Sequence, residues 1–339
     1  MEVGKDSRAA HNVGSPFFAA LPMPRILFVA AHRPDRSPSQ RYRFEQFAGH
    51  WAAHGFSHEY AWLIGAEEDR VFYATGHVLA KMGIFVRSWL RRARQVARVK
   101  EFDLVIVQRE AFMTGSTRFE RRLAASGVPL IYDFDDAIWH LDVSDANRRL
   151  RWLKDPNKTS KLIGMADLVI AGNAHLAAYA AQYNNRVEMI PTVIDTDHGA
   201  GRLVRGGDRD LEAPELPIEN IRWNSATEVQ DLRGIDIGIM PLPDDEWSRG
   251  KCGFKGLQYM GMGKAVVLGR VGVNTTIVQD GVNGLLASGQ EEWLEALGRL
   301  INSSDLRTRL GIAARRTVEE GYSVRAWRDR YLQLFQTLL

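Results

Sequence analysis

Residues Arg249 to Gly263 read RGKCGFKGLQYMGMG and run on into the apolar KAVV. Glycines and cations here lead into a helix-forming stretch, and a buried strand follows. Backbone N–H groups at a helix start, the positive end of the helix dipole and the close approach that glycine allows all suit a diphosphate. Arg249, Lys251 and Lys255 surround Gly253 with positive charge. Gln258, three residues after Lys255, is expected on the same helix face, where it can hydrogen-bond a ribose hydroxyl. A plain surface turn before a core helix accounts for the same glycines about as well.

A second cluster is Tyr132-Asp133-Phe134-Asp135-Asp136, an apolar strand running into three carboxylates. Such crowding is electrostatically costly unless something offsets it. The carboxylates can serve as a general base or hold an acceptor hydroxyl. They can ligate a divalent cation, or Asp135 or Asp136 can cap the next helix. Asp133-Phe134-Asp135 also imitates the nucleophile and acid pair of haloacid-dehalogenase phosphatases, which use magnesium. Against that, Ala137 stands where those enzymes have a hydroxyl residue, and the motif lies in mid-chain. Arg41 and Arg43, in Ser39-Gln40-Arg41-Tyr42-Arg43, can meet an anionic acceptor or form a solvated helix face. Between Phe85 and Lys100, helical spacing puts Phe85, Trp89, Ala93, Val96 and Ala97 on one side and Arg87, Arg91, Arg92, Arg94 and Arg98 largely on the other. Such a basic amphipathic helix either packs its apolar stripe on its own sheet or lies on an anionic membrane. The histidines show no ligand spacing, so no zinc site is expected.

The elements that must position these residues are legible. With 339 residues and 45 % apolar content, the chain has material for two cores. Short apolar runs alternate with helix-period segments, the pattern of buried parallel strands with crossover helices, hence a doubly wound α/β fold. One sheet is predicted from Arg25 to Ala31, Asp103 to Val107, Pro129 to Tyr132, Asp167 to Ala171 and Val187 to Ile190. A second is predicted from Ile235 to Met240, Lys264 to Leu268 and Gly284 to Ala287, after a linker between Asp197 and Pro217. The tail from Ser304 reads as two helices, with Ser304 as N-cap and Trp327, Tyr331, Leu332 and Phe335 on one face. Ligands bind such sheets beyond the C-terminal ends of their strands.

The 44 basic and 41 acidic residues nearly balance, which argues against a nucleic-acid partner. A single cysteine, Cys252, fits a reducing, cytoplasmic setting. Arg87 interrupts the best apolar run, Met82 to Leu90, so no segment reaches the roughly 20 residues that span a bilayer. Residues 1–22 read as a disordered extension, not a signal peptide.

The segment FKGLQYMGMGKAVV from Phe254 to Val267, continued by Val271-Gly272-Val273-Asn274 and Asp280-Gly281-Val282-Asn283-Gly284, resembles the donor region of family 4 retaining glycosyltransferases. Ser37 to Tyr42, Tyr132 to Trp139, Ala171-Gly172-Asn173 and Ile190 to Asp195 look like that family's first loop, acceptor-side loop, inter-strand turn and interdomain crossover. The resemblance implies two Rossmann-like domains facing a cleft: an acceptor-side domain over 23–196, a shortened nucleotide-sugar domain over 197–322 and a last helix, 323–339, crossing back. It implies hexosyl transfer from a nucleotide-diphosphate sugar, with retention and no cofactor or metal, of the kind used in cell-envelope polysaccharide synthesis. The acceptor would be a saccharide, a lipid-linked or another small molecule, with the enzyme in the cytoplasm or peripheral at the inner membrane face. Lys255 would lie near the diphosphate, Gln258 near the ribose, and Gly272, Val273 and Asn274 beside diphosphate or sugar. Asp135 or Asp136 would face the acceptor, with Asn173 nearby. Gln258 replaces the usual carboxylate, Ala265 the usual Pro, Gly269-Arg270 a small-residue–Pro pair and Thr276 a common Glu. Only about 40 residues separate Asp195 from Ile235 where two strand-helix units are usual, with a remnant visible from Arg202 to Gly207. These departures support an alternative, a non-catalytic relative that binds or scaffolds.

Overall fold

The computed structural model describes residues 23–74, 76–140, 155–196 and 227–339. The extension 1–22, the linker 197–217 and the segment Arg202 to Gly207 lie outside them. Six strands, β1 (Arg25–Val29), β2 (Ser57–Ala61), β3 (Leu104–Gln108), β4 (Leu130–Phe134), β5 (Leu168–Ala171) and β6 (Val187–Met189), form an all-parallel sheet in the order β2-β1-β3-β4-β5-β6. Its described connections carry α1 (Pro38–Arg43), α2 (Ala48–Ala53), α3 (Ala66–Phe72), α4 (Val78–Ala97), α5 (Arg118–Ala124), α6 (Lys158–Met165) and α7 (Ala174–Ala180). A second parallel sheet has β7 (Ile237–Met240), β8 (Ala265–Gly269) and β9 (Leu285–Ala287) side by side. Around it lie α8 (Glu228–Arg233), α9 (Glu246–Arg249), α10 (Phe254–Gly261), α11 (Asn274–Ile277), α12 (Gln290–Ile301) and α13 (Ser304–Gly321), and α14 (Val324–Gln336) ends the chain.

Successive side chains on a strand face opposite ways, so each central strand feeds two cores. Val105, Val107, Tyr132 and Phe134 pack on one face with Val96, Phe119 and Leu123, while Ile26, Phe28, Leu104, Ile106 and Ile131 pack on the other with Phe47 and Trp51. Each such side chain, fully buried, contributes roughly 1.5–3 kcal/mol. The second core is closed by Tyr331, Leu332, Leu334 and Phe335 of α14. The rings of Tyr331 and Phe47 lie 4.7 Å apart, and those of Phe335 and Trp51 5.2 Å. The crossing is pinned where Ile194 and Val324 exchange backbone hydrogen bonds with the paired chain, Ile194 N–H to Tyr322 O at 2.9 Å and Val324 N–H to Ile194 O at 3.0 Å.

Three readings need correction. The N-cap of α13 is Ser303, whose hydroxyl accepts from Leu306 N–H at 3.2 Å, one residue before the expected Ser304. The edge strand β2 (SHEYA) adds to the five expected strands; its mixed, half-buried side chains show no apolar run. In α4 the buried face is Ile84, Ser88, Arg92 and Val96, while Trp89 and Ala97 are exposed. Arg92, expected on the solvent side, is fully buried and donates to Ala30 O, Ala61 O and Ala111 O at 2.7–2.8 Å. Its guanidinium thereby satisfies carbonyls just beyond the ends of β1 and β3 and adds a second donor to Ala61 O, which also accepts from Ala30 N–H.

Gly311 on α13 is a fold requirement. A Cβ there would meet Gly263 O at 2.1 Å, backbone against backbone. Gly311→Ala should therefore cost about 1–3 kcal/mol in a urea titration. Gly298→Ala on α12, where a Cβ meets open space, should gain about 0.5–1 kcal/mol.

Candidate active site

The strand order reverses between β1 and β3, because the chain moves outward to β2 and then returns past β1. A crevice at the C-terminal ends of the strands beside such a reversal is the place where doubly wound sheets bind ligands. Arg109 stands there, directly after β3, with φ +60. This left-handed conformation is uncommon for a residue with a Cβ. Its N–H is held by Asp133 O at 2.8 Å and its carbonyl by the Tyr132 hydroxyl at 2.8 Å. The guanidinium donates to Asp135 at 2.9 Å through Nε and to Asp136 at 2.5 Å. Lys251, in the turn between α9 and α10, donates to Asp136 Oδ1 at 3.1 Å.

The carboxylates of β4 are thus offset one by one. Asp133 lies within the strand, not beyond it, and pairs with Arg43 where both side chains are wholly inaccessible. Arg43 also donates to Ile190 O at 2.6 Å. Asp135 is buried, which alone would raise its pKa, but Arg109 and Arg43 and a hydrogen bond from Ser39 hold it below the usual carboxylate range. No helix starts at Asp135 or Asp136 in the described residues up to His140, so neither has the expected capping role there. Asp133, sealed by Arg43, cannot reach a phosphate ester, which removes the nucleophile that the phosphatase reading required.

Residues 250–252 seat on this cluster. The Cys252 thiol donates to Asp135 O at 3.1 Å, and burial pushes its pKa far up, so it stays protonated. A Cβ on Gly172 would meet Cys252 Sγ at 2.6 Å, and one on Gly250 would meet Ala137 Cβ at 2.5 Å. Close approach of the two halves requires glycine at both positions. Asn173 caps α7 by accepting from Leu176 N–H at 2.9 Å, and its amide donates to Gly250 O and Lys251 O, each at 3.1 Å. Both amide hydrogens are therefore spent on the joint, which corrects the acceptor-contact reading of Asn173. Arg43 is corrected likewise: it is neither on a solvated face nor open to an acceptor. Arg41 pairs with Asp35 at 3.7 Å and lies over the Tyr42 ring.

On the other side of the joint, the ends of β7 and β8 bring Arg249, Gly253, Gly272, Val273 and Asn274 together. Gly253 (φ +67) opens α10, and a Cβ on it would meet Ile277 at 2.5 Å and Val273 at 3.1 Å. Gly272 (φ +52) would press a Cβ on the Arg249 backbone at 3.0 Å. Arg249 is exposed and paired with Asp244 at 2.8 Å. Lys255, in the first turn of α10, is half-buried and has no hydrogen bond or ion pair with another described residue. Burial, and secondly Lys251, lower its pKa. Gln258, by contrast, is 1 % exposed and engaged inside the protein, so it does not share an open face with Lys255 as expected. The Asn274 amide donates to Gly269 O at 3.0 Å, and its buried Oδ1 has no donor.

Residues 166–303 match the family described as glycosyl transferases group 1. The group 1 match spans β5, the joint at Asn173 and Gly250 to Cys252, and the Gly253 to Asn274 cluster. In structure the chain is similar to Anabaena HepE, solved with UDP and glucose, at 13 % identity and a TM-score of 0.64, with 93 % of this chain and 100 % of that one covered. It is also similar to sucrose-phosphate synthase from Thermosynechococcus elongatus (13 %, TM-score 0.66, 93 % and 99 % covered) and to a glycosyltransferase from Rickettsia africae (11 %, TM-score 0.55, 94 % and 99 % covered). No curated protein matches it by sequence. The chain is a glycosyltransferase of the two-Rossmann, or GT-B, architecture. The residue missed from sequence is Arg109, whose only signal was its place just after the apolar run LVIVQ; its backbone conformation has no sequence signature.

Proposed function

We propose that this glycosyltransferase binds a nucleoside-diphosphate sugar against α10 and the Gly272 to Asn274 turn, and transfers the sugar to an acceptor held over Arg109, Asp135 and Asp136. The observation that carries the reading is Lys255, a half-buried ammonium without a counter-ion among the described residues, set beside two turns that only glycine tolerates. A diphosphate supplies the missing charge, and the start of α10 adds N–H donors and its dipole. Asn274 Oδ1 can accept from a sugar hydroxyl, which relieves a buried, unsatisfied acceptor. In the transfer, the bond from the anomeric carbon to the diphosphate oxygen breaks and a bond to the acceptor oxygen forms. The acceptor's proton passes to Asp135, Asp136 or the departing diphosphate. Lys255 and the helix end stabilise that leaving group without a metal. We assign retention to the reaction, and a saccharide or lipid-linked acceptor in cytoplasmic synthesis of cell-envelope polysaccharide. Because HepE was solved with UDP and glucose, UDP and UDP-glucose are the first ligands to try.

Calorimetric titration with UDP, GDP and their sugar conjugates in the absence of metal tests this. Saturable binding is expected, and Lys255→Ala should weaken it about ten- to a hundredfold, the value of one charge-assisted contact. If the folded protein binds none of these nucleotides, the non-catalytic reading replaces this one. A pH dependence follows as well. The free ammonium's pKa is lowered, and a bound diphosphate draws it back up, so binding takes up a proton on the alkaline side. Affinity should fall as pH rises through the lowered pKa, and titrations in buffers of different ionisation enthalpy should reveal proton uptake. Lys255→Ala should abolish both effects.

A further inference from the structure

Helix α4 carries two features that the transfer reaction does not use. Its outer surface exposes Leu79 (85 %), Met82 (62 %), Val86 (55 %) and Leu90 (43 %), spaced three, four and four residues apart and so aligned in one stripe. This stripe is separate from the Ile84, Ser88, Arg92 and Val96 face that packs on the sheet. Beside it run Arg87, Arg91 and Arg94, and the whole helix, VLAKMGIFVRSWLRRARQVA, contains no Asp or Glu. Arg87 and Arg91 share one carboxylate, Glu68, and Arg98 pairs with Glu59 and Glu101. Arg94 has no ion pair among the described residues, and neither do Arg121 and Arg122 on the exposed side of the neighbouring α5. Arg87, Leu90, Arg91, Arg94, Gln95 and Arg98 line a depression of about 380 Å³.

The helix is also placed to approach a surface. Arg92 sits at the C-terminal ends of β1 and β2 through its bonds to Ala30 O and Ala61 O. The 13 steps from Leu79 to Arg92 rise about 20 Å at 1.5 Å each. Hence the apolar stripe extends past the same sheet edge that bears Arg109, Asp135 and Asp136.

From these observations we propose that α4 docks the protein on an anionic lipid bilayer, with Leu79, Met82, Val86 and Leu90 in the headgroup–acyl boundary and the arginine-lined depression receiving phosphate headgroups. An apolar stripe bordered by cations is what an interfacial helix requires, and unpaired arginines are complementary to anionic headgroups, whereas a dimer would bring the same cations against one another. No described helix is long and apolar enough to cross a membrane, so the contact is peripheral. Acceptors borne on a lipid would thereby be presented at the crevice.

The test is flotation of the full chain with vesicles of phosphatidylcholine alone and of phosphatidylcholine mixed with phosphatidylglycerol. The protein should float with the mixed vesicles, stay behind with the neutral ones and detach in high salt. The triple variant Leu79→Ser, Met82→Ser, Val86→Ser should lower partition at least about tenfold. Arg94→Glu with Arg121→Glu should lower it several-fold. Both variants alter exposed side chains, so an unchanged thermal midpoint and unchanged nucleotide titration confirm that fold and donor site are intact. If the parent ignores anionic vesicles, or the triple variant floats as well as the parent, the proposal is wrong. If the parent ignores vesicles yet sediments as a dimer that the triple variant dissociates, the stripe is an interface between copies.

Discussion

Arg43→Met should lower the stability of the chain by about 3–5 kcal/mol in urea unfolding at neutral pH, the cost of removing one partner of a buried ion pair. Both side chains are wholly inaccessible, and Asp133 would be left inside β4 without a cation. Arg43 also holds Ile190 O, and its own carbonyl accepts from the Tyr331 hydroxyl at 3.2 Å, so it joins α1, β4, the segment after β6 and α14. Burial already pushes the Asp133 carboxyl up, with Arg43 opposing. Without that opposition, the folded-state pKa lies further above the unfolded value. A raised carboxylate pKa means that the folded state binds the proton more tightly, so the penalty is present at neutral pH and relieved as pH falls through the folded value. The deficit of Arg43→Met should therefore shrink in mild acid. Arg43→Met combined with Asp133→Leu should recover most of the loss at neutral pH, because no charge is then buried. A deficit that is small, or that does not shrink in acid, would mean that Asp133 finds another partner.

This pair also shows what the sequence can and cannot reveal. Runs such as RILFV, LVIVQ, LIYDF and AVVLG are apolar over four or more residues because both faces of a central parallel strand are covered, so their number and order were readable. SHEYA at the edge has only half-buried side chains before Ala61, and nothing in its composition demands a strand. The helix period located α4 but rotated its buried face, and on α10 it put Gln258 on an open face with Lys255 where Gln258 is in fact buried. Helical spacing puts Arg92 on the outward side, whereas the backbone carbonyls of Ala30, Ala61 and Ala111 accept from its buried guanidinium. Arg43, expected at an anionic acceptor or on a solvated face, is likewise buried, held by Asp133 and Ile190 O. The acidic cluster at Asp133 to Asp136 correctly signalled that compensating charge had to exist, but Arg43, Arg109 and Lys251 come from 90, 26 and 115 residues away in the pairs they form. Separations of that size are set by topology, which local spacing does not encode. Glycine was the better guide: Gly253 and Gly272 both adopt positive φ, and the region that they mark is the one matched by the group 1 family.

Arg109→Met should then reduce turnover by about a hundred- to a thousandfold with little change in donor affinity, if Asp135 and Asp136 act at the acceptor. The physical reason is charge placement. In the parent, Arg109 spans both carboxylates and holds Asp135 below the usual range against the effect of burial. Such a depressed pKa contributes stability that is present above the unfolded value and lost as pH falls through the folded one. Removing Arg109 leaves Asp135 buried with only Arg43 and Ser39 to favour its charge, so its pKa must rise, and the acid limb of both the stability profile and the pH–rate profile should move to higher pH. Asp136 keeps its ion pair with Lys251 at 3.1 Å. Arg109→Lys retains a cation but not the two-pronged geometry, and should recover part of the stability while regaining little turnover. The separation between kcat and the donor's KM is the decisive readout. A merely structural role would weaken nucleotide binding along with turnover, because the loop bearing Lys251 rests on Asp136, whereas a role at the acceptor leaves the calorimetric titration with UDP unchanged.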